Sequence, residues 1–205
     1  MDLGTAIASS FSAGISMYGV LAALGIAGRL DWIDAPDALE RPGVIALLLG
    51  GFVLELVVDK IPFLDSAWDT VHTVLRPVAG ATIMGIAPGQ ELPLPVAIAI
   101  GGGLALTSHS AKAATRLLVN TSPEPASNVV VSTAEDGLVA ALMAVAFANP
   151  AVAAAITLVL VGVALALIVV AWRLVRRVRR RRQERRGAGD GGGGPGGPGS
   201  PPAPG

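Results

Sequence analysis

The stretch from Pro150 to Trp172 reads PAVAAAITLVLVGVALALIVVAW, and Arg173 to Arg182 follows at once as RLVRRVRRRR. The first run carries no charge and is longer than the roughly 20 residues that a helix needs to cross a hydrocarbon core about 30 Å thick. The second is a dense basic run against the end of a span, which predicts that this end lies in the cytoplasm and rests on anionic headgroups. Composition agrees with a membrane body. Apolar residues make up 52% of the 205, aromatic residues 4% and charged residues 15%, against roughly 25% charged in soluble domains. The formal net charge of zero hides a separation. Residues 1–172 hold 6 basic and 13 acidic residues, and residues 173–186 hold 9 basic and 1 acidic. Cysteine is absent, which excludes disulfides, thiolate metal sites and cysteine nucleophiles.

Working back from that run, Leu92 to Lys112 and Leu3 to Gly28 read as two further spans. Leu3 to Gly28 has no basic segment before it and reads as a retained helix, not a signal peptide. Pro42 to Lys60, Asp65 to Ile86 and Asp136 to Asn149 are shorter or interrupted, with Asn149-Pro150 a turn. The expectation is an all-α polytopic protein with about six transmembrane or re-entrant helices. Five spans plus one re-entrant piece among these six segments are also compatible, and 119–131 is either a cytoplasmic connector or a re-entrant loop lining a pocket. An even number of crossings puts the N-terminus in the cytoplasm with the C-terminus, the acidic loop 29–41 outside, and Lys60, Lys112 and Arg116 near the cytoplasmic face. Residues 1–182 form the membrane domain. Residues 183–205, rich in Gly and Pro, are expected to be a disordered cytoplasmic tail.

Two echoes suggest an internal repeat. Ser9-Ser-Phe-Ser-Ala13 resembles Thr107-Ser-His-Ser-Ala111, and with three spans between them these would be inverted-topology equivalents. Asp65-Ser-Ala-Trp-Asp69 and Ser132-Thr-Ala-Glu-Asp136 conflict with that scheme, since they would run in the same direction.

The polar strings carry a resemblance. Asp59-Lys-Ile-Pro62, Asp65-Ser-Ala-Trp-Asp69, His72, Arg76-Pro-Val-Ala-Gly80, Thr107-Ser-His-Ser-Ala-Lys112 and Asn120-Thr-Ser-Pro-Glu-Pro-Ala-Ser-Asn128 resemble the bacterial membrane family described as domain of unknown function 4126, over about residues 1–182. The resemblance implies a multi-pass bacterial inner-membrane protein and brings no activity with it.

Ionisable groups at membrane depth cost about 2.5–3.5 kcal/mol on insertion scales and usually face a cavity or one another. Glu55 and Asp59 share a helix face, as a cation or proton site would. Asp69, His72 and Arg76 form a stripe of acid, imidazole and cation, and His109, Lys112 and Arg116 repeat that spacing with a basic bias. Lys60, Glu124, Asn128, Glu135 and Asp136 complete a candidate polar cavity, with the acidic second span expected against the basic fourth. Such a cavity suits an anionic or phosphate-bearing solute with proton coupling, hence a small transporter or flippase-like permease. The competing explanations are interhelical ion pairing and a non-catalytic scaffold. A Ser108 or Ser110 nucleophile paired with His72 is a third, weaker reading, and no Gly-x-Ser-x-Gly supports it. Gly101-Gly102-Gly103 is read as helix packing, because a P-loop needs Gly-Lys-Ser/Thr. No metal, cofactor or nucleic-acid partner is expected. Arg173, Arg176, Arg177, Arg179, Arg180, Arg181 and Arg182 are the expected lipid-surface anchor.

Overall fold

The computed structural model describes residues 1–61, 64–87, 92–119 and 125–190, and every regular element among them is helical. In chain order these are α1 Leu3–Ala13, α2 Met17–Arg29, the single turn α3 Asp37–Glu40, α4 Pro42–Val58, α5 Leu64–Gly85, α6 Leu94–Val119, α7 Pro125–Ala148 and α8 Pro150–Asp190. Three of them, α6, the Val129–Ala148 part of α7 and the Pro150–Arg180 part of α8, are long and apolar enough to cross a membrane. The packing is that of a membrane bundle. Leu, Val and Ile are displayed outward, as at Leu158, Val159, Val71 and Val74, while Ala, Ser and charged side chains are inside.

The expected first span is not one helix. Leu3–Gly28 divides at Gly14-Ile15-Ser16 into α1 and α2, about 16 and 20 Å long, each too short to cross. Ser16 is the break: its backbone is extended (φ −137°, ψ 92°), and the chain reverses there. Both outer ends of this hairpin meet at one face. The Met1 ammonium donates to Asp34 O at 2.9 Å, and Gly4 lies directly against Pro150. α1 and α2 therefore form a re-entrant hairpin.

Side-chain pairings order the rest. α4 runs antiparallel to α2, from Glu40 beside Arg29 to Glu55 beside Ser16. α5 and α6 form the most extensive interface, antiparallel, with Gly80 against Gly101 and Thr73 against His109. α7 returns along α1, pairing Met143 with Ser9 and Ala146 with Thr5, and α8 leads away from Pro150. Five helices thus run the length of the bundle beside one hairpin. The start of α1 and the arginine run of α8 lie at opposite ends of the bundle, whereas the sequence predicts both termini on one face. The acidic loop stays at the end away from the arginines.

Other expectations shift. α7 starts at Pro125, well before Asp136, because proline at a first helical position gives up only an N–H that would have no partner there. Residues 120–124, with Glu124 and the Asn120 sequon, lie outside the described residues. α8 continues to Asp190, past the expected boundary at 182, and 191–205 lie outside the described residues. Segments 9–13 and 107–111 run in the same direction and pack together through Ser108 and Phe11 O, so they are not an inverted pair. The second echo, on α5 and α7, is also parallel.

The exit from the hairpin is held by a Schellman motif. Asp31 N donates to Gly28 O and Trp32 N to Ala27 O, with Asp31 in the left-handed region at φ 57°. Asp31→Gly is expected to raise stability by up to about 1 kcal/mol by relieving that conformation, readable as a higher midpoint in thermal unfolding. A lower midpoint would show that the Asp31 side chain contributes more than its strain costs.

Candidate functional site

The site is assembled where the hairpin turns. α1 ends in carbonyls that the helix satisfies only in part, at the negative end of a short dipole; Phe11 O accepts from Gly14 N at 3.1 Å. Two α6 side chains take them: the Ser108 hydroxyl donates to Phe11 O and Lys112 Nζ to Ile15 O at 3.2 Å. α2 begins at Ser16, whose hydroxyl does not cap its own helix. It donates instead to Glu55 Oε2 at 2.7 Å, bringing a carboxylate to the positive end of α2. Broken backbone at this depth is tolerated only where protein satisfies it, and both half-helix ends are met by the charge that suits them.

Around the break six charged side chains are buried: Glu55, Asp59 and Asp69 against Arg76, Lys112 and Arg116. Arg76, fully buried between α4, α5 and α6, donates to Glu55 Oε1 and Asp69 Oδ1, both at 2.8 Å. It also donates to His109 Nδ1 at 2.9 Å. That nitrogen is therefore an acceptor and the ring neutral, with its proton on Nε2, 3.2 Å from Thr73 Oγ1, which in turn donates to Asp69 O. Lys112 pairs with Asp59 and stands 4.0 Å from Asp69. Arg116 donates to Asp59 O at 3.2 Å and pairs with Glu135 at 2.8 Å. A looser pair, Lys60 with Asp136 at 3.6 Å, lies at the edge. A cavity of about 260 Å³ opens between α5 and α6 onto this network, lined by Asp69, Thr70, Thr73, His109 and Arg116.

The expected apposition of acidic α4 and basic α6 holds through Asp59 and Lys112, whereas Glu55 turns to Arg76 on α5. His72 stands apart. Its Nδ1 donates to Trp68 O at 2.8 Å, its ring stacks on Trp68, and Nε2 faces Tyr18 Oη at 3.3 Å. Ser108 is occupied with Phe11 O, so the Ser108–His72 pair does not form. The Asn128, Arg181 and Arg182 side chains, like Glu124, lie outside the described residues. Ser16, Tyr18 and Thr73 join the network. Tyr18 and Thr73 are not singled out by the sequence, and Ser16 enters there only as a candidate nucleophile in Ser12-Ala-Gly-Ile-Ser16. The glycine triplet does pack helices: a Cβ at Gly101 would collide with Gly80 O.

Fold and site together define a polytopic helical membrane protein built around a re-entrant hairpin and an intramembrane ion-pair network. The family model for Domain of unknown function (DUF4126) matches residues 3–172, and the chain belongs to that family. No curated protein and no solved structure matches it.

Proposed function

We propose that the protein is a small permease of the bacterial inner membrane that carries an anionic, phosphate-bearing solute together with protons. One observation carries the reading: each cation around the broken helix already holds a carboxylate. An incoming oxyanion can bind there only by taking a carboxylate's place. A displaced Asp69 or Glu135, left without its arginine at this depth, is far cheaper to protonate than to keep charged. Anion and proton then bind as a unit. The cavity between α5 and α6 offers Arg116, His109 and Thr73 for first contact. The arginine end of α8 faces the cytoplasm in this reading. Its anchoring on anionic headgroups is supported by Arg176, whose guanidinium lies 3.7 Å over the Trp172 ring.

The test is uptake of labelled inorganic phosphate by proteoliposomes holding the full chain. Uptake is expected to rise at least tenfold when the outside is acidified, and to be lost in Lys112→Met. The double variant Asp59→Asn, Lys112→Met removes the pair as a neutral unit, so it is expected to recover folded protein without uptake. Uptake indifferent to the proton gradient, or equal in Lys112→Met, contradicts the proposal. The second reading, a scaffold braced by its charges, is favoured by the pairing of each buried cation with a carboxylate. It predicts no uptake in any of these proteins.

A further inference from the structure

A second cavity lies on the opposite side of the hairpin. It has a volume of about 390 Å³, within the range of small-molecule sites, and is walled by Trp32, Phe52, Met143 and Phe147, with Ser16 and Asp136 as its polar members. α4 leans chiefly on α2 and leaves a gap to α7, and Ala140, exposed on α7, opens that gap sideways. Lys60 reaches across the gap from the end of α4. Its Nζ is 3.6 Å from Asp136 Oδ2 and donates to Leu56 O at 3.0 Å. This is the most exposed of the described ion pairs, the Lys60 side chain being 35% accessible, and a lysine at a helix end can withdraw to the interface.

The charge count gives the cavity its polarity. Among the described residues, the connected network holds the carboxylates of Glu55, Asp59, Asp69, Glu135 and Asp136. Against these five stand the four cations Lys60, Arg76, Lys112 and Arg116. With His109 neutral and all of these groups ionised, the described residues of the network carry one negative charge in excess. Asp136 belongs to the most exposed of the described ion pairs, and the cavity's aromatic side chains Trp32, Phe52 and Phe147 suit a cation. A cation with an apolar body satisfies all three features: it neutralises the excess, fills the apolar walls and reaches the gap through hydrocarbon.

We infer that the cavity between α2, α4 and α7 is a binding site for a lipophilic monocation, with Asp136 as its counter-ion and Lys60 as the internal competitor. The site is separate from the α5–α6 cavity and does not depend on the permease reading, since its test involves neither phosphate nor Lys112.

The probe is labelled tetraphenylphosphonium, bound to the full chain in nanodiscs, with empty nanodiscs subtracted. Saturable binding is expected, at least tenfold weaker in Asp136→Asn and equal or tighter in Lys60→Gln, which removes the competitor. Ala140→Phe, a change on an exposed wall that leaves every charge in place, is expected to abolish binding in a folded protein. Tetraphenylborate, of the same shape and opposite charge, is expected not to compete. Absence of saturable binding, or equal competition by tetraphenylborate, would overturn the inference. So would Asp136→Asn binding as well as the parent, or Lys60→Gln weakening as much as Asp136→Asn, since the pair would then be only a latch.

Discussion

Arg76→Gln is expected to destabilise the folded protein by about 3–5 kcal/mol, the usual cost of removing one partner from a buried ion pair. Arg76 is fully buried and serves two carboxylates at once, so its loss leaves both Glu55 and Asp69 without their cation. The His109 Nδ1 acceptor loses its donor in the same step. Most of the protein should fail to reach a monodisperse state in detergent, and any that does should unfold at a much lower denaturant concentration. The triple variant Glu55→Gln, Asp69→Asn, Arg76→Gln removes all three charges and should recover most of the loss, because the penalty comes from unpaired charge and not from missing attraction. If the single and triple variants are equally unstable, Arg76 acts through packing instead.

Gly101→Val is the second large effect. A Cβ at Gly101 would fall on the Gly80 carbonyl and 2.5 Å from Met84 Cβ, and neither can move without shifting α5 as a whole. The α5–α6 interface positions Asp69, Arg76, His109 and Lys112 relative to one another, so forcing it apart loosens the network as well as the packing. Overpacking typically costs 1–3 kcal/mol, and a valine against backbone should reach about 3. Gly103, two residues on, faces open space. Gly103→Ala should be neutral or stabilising by up to about 1 kcal/mol, the helix preference of alanine over glycine. Urea or detergent unfolding of the two variants side by side decides the point, and equal losses would mean that the close approach at Gly80 is not what the triplet is for.

The contrast between those neighbouring glycines shows what could be read from the sequence. The all-helical class, the outward apolar runs and the charged stripes follow from hydropathy and spacing, which are local. The i,i+4 relation of Glu55 and Asp59 and the stripe His109, Lys112, Arg116 were legible for the same reason. Partner choice was not, since Arg76 takes Glu55 through the tertiary placement of α4 beside α5. The larger error lay at Leu3–Gly28. A charge-free segment of that length satisfies every criterion for a span, and hydropathy carries no information on direction. One extended residue, Ser16, reverses the chain, so that the segment read as one span is a hairpin of two short helices. The sign of the reversal was compositional. A helix facing lipid is built like α8, from Val, Leu and Ile, whereas α1 is built from Ala, Gly and Ser and is buried almost all round.

The site depends on that hairpin: Lys112 and Ser16 meet their partners only because α1 and α2 turn back at the level of Glu55. Cysteines placed singly at Asp2, Asp37 and Gln183 of this cysteine-free chain, labelled by an impermeant maleimide in intact cells and in inverted vesicles, test it directly. The hairpin predicts that residues 2 and 37 label from one side and residue 183 from the other. Labelling of residues 2 and 183 from the same side would mean that the first segment crosses the membrane, and would contradict the re-entrant arrangement around which the network is built.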